Sequence, residues 1–533
     1  MKKNVYTISG IVFILILSLS SCRSTDTENT LAGVGASSVN INLLGSEYSN
    51  NGSLSASASL DQGKNLFLGN ETQRNNILIS PSKLITIELS PSTESSKIST
   101  QASVQNQIAA IPGNTLGAGI MFRVIAYRQS NGNFHTYQDY TIGQTATPMM
   151  LDNGAAYNIV CYSYGTSSLP AISAGEQTNI SSAQVNYDDN NRDFMYQNIA
   201  FTPNNYTNNT LNITLRHKVA QITTILNSVG LGNITAISGG ILSPHYSNGV
   251  YSLSSGVMSG RTTSSSGAIL NFSSSGFPGV TQTADPVFVN ADTGGSVAGS
   301  FSASVTIGGK TNTINLPNSF KITPENKSNL TINLQNCGAY LGPGNTLWKD
   351  FMCHNMGADN TADSFAPSAA IHGAKYQWGA NTNEVGRYYS QANDQSNSAA
   401  IAGWNTTGKA NGSWSDASKT ATDPCPTGFR VPTQAQWQAV INNNVKTSVG
   451  STWTNSPTNY GTAVKYGNLL FLPTTGYRDP SSGSLDSRGY EGYYWSSTGV
   501  ISPNSYLLYV GNTSGALVTG NRTYGISVRC IAQ

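Results

Sequence analysis

The sequence predicts a mostly β chain closed by a smaller α+β domain, and three observations carry this. Val, Ile, Tyr and Thr recur in short bursts bounded by Gly, Asn and Ser, the pattern of sandwich strands. No helical periodicity competes with those bursts over residues 40 to 336. All seven tryptophans stand beyond Gly338, at 348, 378, 404, 414, 437, 453 and 495, so the cores before and after that point are built from different residues. At 533 residues the chain has room for three or four domains of roughly 150 residues each. Only 10% of residues are charged, against about 25% in ordinary soluble proteins, while a hydrophobic content of 38% supports packed cores and argues against disorder. The net charge is +2 with no basic patch, which excludes nucleic acid as a partner by the usual electrostatic test.

The first element is a targeting segment. Lys2 and Lys3 precede an apolar run from Ile11 to Leu19 that ends in Leu19-Ser20-Ser21-Cys22. A run of about ten residues is too short to cross a bilayer as a helix, which needs about 20. The arrangement resembles a bacterial lipoprotein signal, which implies cleavage of residues 1–21, a diacylglyceryl group on the Cys22 thiol and folding outside the cytoplasm. The alternative is an ordinary secretory signal with a chance cysteine. No second apolar stretch is long enough to span a membrane. Residues 22–39 are mostly small and polar and are expected to be a tether. Asp26 and Glu28 within it resemble the export signals of Bacteroidetes-type lipoproteins, although ordinary linker charge accounts for them as well.

Six cysteines stand at 22, 161, 337, 353, 425 and 530. Lipidation of the first leaves five, so one stays unpaired within a monomer. Cys161 lies in a strand-like burst far from the others and is expected to be a buried free thiol. Cys337, Cys353, Cys425 and Cys530 can make two disulfides in an oxidising compartment, with three connectivities open. No Cys-x-x-Cys occurs and Cys353-His354 would put two ligands side by side, so no metal site is expected.

Strands are predicted at Gly119 to Tyr127 and Tyr157 to Tyr164, with a turn at Asn131-Gly132-Asn133. Leu211, Ile213 and Leu215 alternate with Asn212 and Thr214, which places the apolar set on one face of a strand. Val305-Thr306-Ile307 and Thr313-Ile314-Asn315-Leu316 flank Gly308-Gly309, a pair that favours a tight hairpin. Leu215-Arg216-His217-Lys218-Val219-Ala220-Gln221-Ile222 resembles the L-x-H-x-x-A-x-(V/I) signature of the fimbrillin family, the Mfa-like and FimA-like pilins. Phe122-Arg123-Val124-Ile125-Ala126-Tyr127 followed by Gly154-Ala155-Ala156-Tyr157-Asn158-Ile159-Val160 resembles the first sandwich of that family. The resemblance implies two fimbrillin-type β-sandwiches, at 40–200 and 201–337, with His217 as a structural histidine.

The segment Asp423-Pro424-Cys425-Pro426-Thr427-Gly428-Phe429-Arg430-Val431-Pro432-Thr433-Gln434-Ala435-Gln436-Trp437 opens a helix. Thr433 can cap it while Gln436, three residues on, reaches back to the cap amide. Trp437, Val440 and Ile441 then share one face, so the helix is amphipathic. Together with Leu469 to Arg478, Gly492-Tyr493-Tyr494-Trp495-Ser496-Ser497 and Val528-Arg529-Cys530, this segment resembles the Fibrobacter succinogenes major paralogous domain, over about residues 345 to 533. The domain is drawn at 338–533. The resemblance implies a C-type-lectin-like α+β fold, a disulfide from Cys425 to Cys530, and Cys337 with Cys353 as the remaining pair.

No Gly-x-Ser-x-Gly elbow, His-Glu-x-x-His helix or phosphate loop occurs among these residues, and no enzyme, cofactor or metal is expected. An oxidase-like alternative, suggested by the fold relatives, would need a reactive thiol pair. The calcium-lectin loop motifs are absent, and the spacing of Asp479, Asp486 and Glu491 does not match an EF-hand loop. Tyr477, Arg478, Asp479, Glu491 and Tyr494 are the candidate ligand surface, because aromatic residues with Arg carry binding energy and stack on sugars; Trp495 is expected in the core. The resemblances imply a fimbrial subunit, lipid-anchored at the outer membrane, surface-exposed and acting as a tip adhesin. Its implied partners are other fimbrial subunits through donor-strand exchange, and a host or bacterial surface glycan or protein. Lys64 and Arg74 are the candidate processing residues. The alternative is a non-fimbrial surface lipoprotein that binds glycan or protein.

Overall fold

A computed structural model describes residues 35–49, 71–92, 115–204 and 208–533. Cys22 and Lys64 lie outside the described residues. The chain is mostly β and forms two compact units. Its first strands are β1 (Ala36–Glu47), β2 (Gln73–Ser80), β3 (Lys83–Pro91), β4 (Met121–Arg128), β5 (Phe134–Thr141), β6 (Met149–Asp152), β7 (Tyr157–Ser163), β8 (Gln184–Asn186), β9 (Met195–Phe201), β10 (Asn209–His217), β11 (Ala220–Asn227) and β12 (Ile234–Ser243).

The first unit is built on one seven-stranded sheet in the order β5-β4-β7-β9-β10-β1-β6. The two ends of this order line the same core: Tyr140 from β5 and Met149 and Leu151 from β6 pack in one cluster with Val39, Val124, Ile159, Leu211, Ile213 and Leu215. The sheet therefore curves around its own apolar face. Cys161 belongs to this cluster as the free, buried cysteine, and burial pushes its thiol up. Leu211, Ile213 and Leu215 are buried while Asn212 is exposed, as the alternation predicts. β1 begins at Ala36, inside the stretch 22–39 expected as a tether, because Val39 is drawn into the core.

The second unit contains a two-sheet sandwich and continues through Gln533. One sheet places β11 parallel to Lys327–Asn336, which runs antiparallel to β3, which pairs β2. The other carries β12, Gly299–Ile307 and Lys310–Phe320. Ile85, Ile87, Leu89, Ile222, Leu226, Leu242, Phe301, Leu316, Leu330 and Ile332 fill the space they enclose. The hairpin at Gly308-Gly309 closes Ile307 onto Lys310, with φ of 57° and 75° at the two glycines. Both values lie in the left-handed region that a primed two-residue turn requires. His217 is buried and stacks on Tyr48 at 4.0 Å with the rings 3° from parallel.

The boundaries expected at 40–200 and 201–337 need correction. β2 and β3 belong to the second sandwich, and β10 belongs to the first sheet through its parallel ladder with β1, Val39 opposite Asn209 through Glu47 opposite Arg216. Alternation assigns a strand a buried face but not a neighbour. The boundary at 337/338 also does not separate two compact units. Residues 338–533 have their own sheets and cores. Yet the β2–β3 turn is hydrogen-bonded into their entrance: the Cys337 amide donates to Ser82 O and the Cys353 amide to Pro81 O, at 2.7 and 2.8 Å. Leu84 packs on both of those cysteines.

Within 338–533 a five-stranded sheet runs in the order Leu485–Arg488, Thr475–Arg478, Glu491–Gly499, Asn504–Gly511, Gly515–Asn521. The helix Gln434–Asn443 packs on this region through buried Trp437 and Val440. Its capping box is complete: Thr433 Oγ1 accepts from the Gln436 amide at 3.1 Å, and Gln436 Oε1 accepts from the Thr433 amide at 2.8 Å. Disulfides join Cys337 to Cys353 and Cys425 to Cys530. The strand Ile531–Ala532 pairs with Phe429–Arg430 and is thereby held inside this C-terminal module.

Candidate functional site

The expected ligand-surface residues divide once their surroundings are known. Arg478 is fully buried and cannot face a ligand. Its Nε donates to Asp394 Oδ1 at 2.7 Å, and its other nitrogens donate to the carbonyls of Gly483, Asp394 and Asn397. Arg488, equally buried, donates to the second carboxylate oxygen of Asp394. One carboxylate thus compensates two buried guanidinium groups and ties the short helix Gln391–Ser396 to the sheet. Tyr494 is also buried, with its hydroxyl donating to Pro473 O at 2.5 Å. Asp479 is used by its own loop: Oδ1 accepts from the amides and hydroxyls of Ser481 and Ser482. These hydrogen bonds hold its carboxyl below the usual range, against a smaller opposing effect of burial. Arg478 and Tyr494 drop out of the candidate surface because both side chains are buried and their partners are internal.

Tyr477 and Glu491 remain and are joined by residues that the sequence did not single out. Tyr477 meets Tyr493 and Tyr524 edge-on, each with centroids 5.2 Å apart, and Tyr493 meets Tyr509 at 5.5 Å. The Tyr477 hydroxyl donates to Asp486 Oδ2 at 3.0 Å, and Glu491 accepts from Tyr493 at 2.5 Å and from Tyr509 at 3.1 Å. Burial, then the adjacent carboxylates, push the Tyr477 and Tyr493 hydroxyls up, so both stay protonated donors. A small cleft of about 160 Å3 opens among Tyr477, Tyr493, Leu507, Val518 and Tyr524. The face offers aromatic edges and carboxylate acceptors held in place by each other, which is chemistry for binding. Tyr493 and Tyr524 come together across the sheet, and no local spacing signals that.

Behind this face lies a buried amine. Lys375 Nζ donates to the carbonyls of Thr475 and Gly476 at 2.8 and 3.0 Å. Burial pushes its pKa down from 10.5 to about 7, only partly offset by Asp394. The unfolded chain therefore holds a proton on this amine, between about pH 7 and about pH 10, that the folded chain has released, so stability rises with pH across that window. We expect the unfolding midpoint of the module to climb from about pH 7 to about pH 9, and Lys375→Met to flatten that rise. A wild-type slope no steeper than the variant's would refute the assignment.

A second feature lies in the first unit. β1 pairs with β6 only over Ala36–Val39, so on that edge its residues Asn40–Glu47 have no strand partner among the described residues. β5 pairs only with β4. Between these two edges runs a groove of about 500 Å3 lined by Ile41, Leu43, Phe122 and Ile142 together with the polar Gln138, Asp139, Gln144 and Thr147. Two edges without a further strand partner among the described residues, flanking a groove of mixed apolar and polar lining, are elements that β-augmentation uses.

Arg74 is corrected as a processing residue. It sits within β2 opposite Glu88 and forms an ion pair with Asp363 at 2.7 Å, so a protease would have to unzip a paired strand to reach it. Among the described residues no group of three or more His, Cys, Asp or Glu could hold a metal ion, and no helix is long and apolar enough to cross a membrane.

No family model and no curated protein matches the chain. Solved structures do. A candidate cell adhesion protein from Bacteroides uniformis is 12% identical with a TM-score of 0.27, covering 41% of this chain and 92% of that one. A candidate cell adhesion protein from Parabacteroides distasonis is 12% identical with a TM-score of 0.27, covering 44% and 84%. The fimbrial anchor protein Mfa2 from Porphyromonas gingivalis is 12% identical with a TM-score of 0.25, covering 41% and 84%. Likeness at this level bears on neither family nor function, both of which are argued from the chain's own residues.

Proposed function

We propose that this chain is a surface-exposed, lipid-anchored fimbrial subunit that accepts a donor strand and presents its C-terminal module for adhesion, at the tip of the fibre. The observation that carries the reading is the pairing of the strand Ile531–Ala532. Ile531–Ala532 is paired to Phe429–Arg430 beside the Cys425–Cys530 disulfide, so this strand is engaged within its own module and is not the one offered to another subunit. The groove between β1 and β5 supplies the complementary half: a subunit that takes a strand there while its own last strand stays engaged ends a fibre. Among the described residues four cysteines are paired and Cys161 is buried, so the oxidase alternative would have to find its reactive pair elsewhere.

Mass photometry of the mature chain, before and after limited proteolysis, tests this. Monomers are expected in both cases, and the cleaved form should bind the tail of a shaft subunit. Self-polymerisation after cleavage would refute the tip position. The full-length parallel ladder of β1 on β10 favours the alternative of a non-fimbrial surface lipoprotein that keeps this strand. Retention of β1 in the assembled surface form would decide for it.

A further inference from the structure

A second cleft lies between the C-terminal module and the loop at Val229 and Gly230, away from the tyrosine face. It has a volume of about 450 Å3 and is lined, among others, by Val229, Tyr340, Asn345, Trp348, Val445 and Asn468. We propose that this cleft binds a neutral saccharide, a deeper reading of the adhesive role given above and resting on it.

The walls are rigid. Tyr340 and Trp348 face each other across the hairpin of Gly338–Gly342 with Thr346–Asp350, their rings edge-on at 5.1 Å. The indole N–H donates to Asp350 Oδ1 at 2.7 Å, so the polar end of Trp348 is already satisfied and its ring is what remains for contact. The ring lies against Gly338, where a Cβ would come within 2.6 Å of it. Asn444 bonds both the amide and the carbonyl of Tyr340, at 3.0 and 2.8 Å, and Asn443 donates to Leu341 O at 3.0 Å. These two amides fasten the hairpin to the C-terminal end of the helix Gln434–Asn443.

The rim is unusual in two respects. Asn345 and Leu347 both adopt left-handed backbone, at φ of 60° and 53°, a conformation that costs of order 1 kcal/mol or more at a non-glycine residue and tends to mark ligand sites. Two large apolar side chains of the lining stand exposed, Val445 at 78% and Val229 at 53%. The amides of Asn345 and Asn468 are exposed, and neither side chain makes a hydrogen bond among the described residues.

The lining decides the ligand class. No charged side chain contributes to it, which disfavours phosphate, carboxylate and ammonium ligands. An aromatic platform takes the C–H face of a pyranose, and planar amides both donate to and accept from its hydroxyls. The volume suits one or two sugar rings by the usual range of ligand sites, about 300–1,000 Å3.

The tryptophans make the test direct. Trp378, Trp404, Trp414, Trp437 and Trp495 are buried, whereas Trp348 and Trp453 are partly exposed. In the full mature chain carrying Trp453→Phe, acrylamide quenching reports Trp348. Methyl glycosides of glucose, galactose, mannose and N-acetylglucosamine, with their β-linked disaccharides, are the probes, and galacturonate is the charged control. At least one neutral sugar is expected to shield Trp348 while galacturonate does not. The affinity, followed by saturation-transfer NMR, should fall tenfold or more in Trp348→Ala and severalfold in Asn468→Asp, with Trp348→Phe keeping part of it as a check on folding. Absence of shielding by every neutral probe, or unchanged affinity in Trp348→Ala, overturns the proposal. Binding that is lost in Tyr524→Ala but kept in Trp348→Ala overturns it too, yet leaves the adhesive reading standing with its ligand at the tyrosine face. Self-polymerisation in the mass-photometry experiment would instead sink the tip reading and leave sugar binding intact.

Discussion

Asp394→Ala should destabilise the C-terminal module by about 3–5 kcal/mol, the range for removing one partner of a buried ion pair. The carboxylate is 1% exposed and lies between Arg478 and Arg488, at 0% and 1%. Truncation leaves two guanidinium groups buried without their counter-charge, and the cost of that exceeds the worth of the contacts removed. Asp394→Asn retains an acceptor in the same shape but not the charge and should fall between the two. Tryptophan fluorescence during denaturant unfolding is the right measurement, because all seven indoles lie between 348 and 495 and therefore report this module and not the sandwiches. A loss below about 1 kcal/mol, the scale of an exposed pair, would show that the triad is solvated.

Opening the Cys425–Cys530 disulfide should have an effect of similar size. The bridge spans 105 residues, and the chain-entropy account gives about 4–5 kcal/mol for a loop of that length. Cys337–Cys353, with a separation of 16, gives about 3 kcal/mol on the same account. Cys530→Ser should also release the last strand from Phe429–Arg430, since Ile531 follows the bridged residue directly. The comparison is best made in a Cys161→Ser background, so that a thiol exposed on unfolding cannot exchange with the remaining bridge. Equal unfolding midpoints with and without the bridge would rule out its role in holding the tail. Rapid hydrogen exchange at the amides of Ile531 and Gln533 in the variant would show the strand coming free.

The local devices were legible in the chain because their partners are close in sequence. The capping box needs only Thr433 and Gln436, three residues apart, and the Gly308-Gly309 turn needs only two residues that tolerate positive φ. The buried face of Leu211, Ile213 and Leu215 follows from a period of two. Assignment of Arg478 failed for the opposite reason. It stands beside Tyr477 and Asp479, which are partly exposed, but its charge is answered by Asp394, 84 residues earlier. The same distance problem hid the tyrosine face, where Tyr524 meets Tyr477 from another segment of the module. It hid the Trp348 cleft as well, which draws on a loop near Val229 and a helix end near Asn443.

By itself the sequence determined where strands, turns and the capped helix form and which face of each is apolar. Only the tertiary structure decided that β3 lies beside Lys327–Asn336, with Leu89 opposite Leu330, and that β10 lies beside β1. The physical reason is that alternation stabilises any strand with a matching face, so the choice among partners is made by the enclosed core as a whole. The same holds for charge. The charge of Arg478 goes inside because the fold delivers Asp394 to meet it, and that delivery is a property of the packed chain.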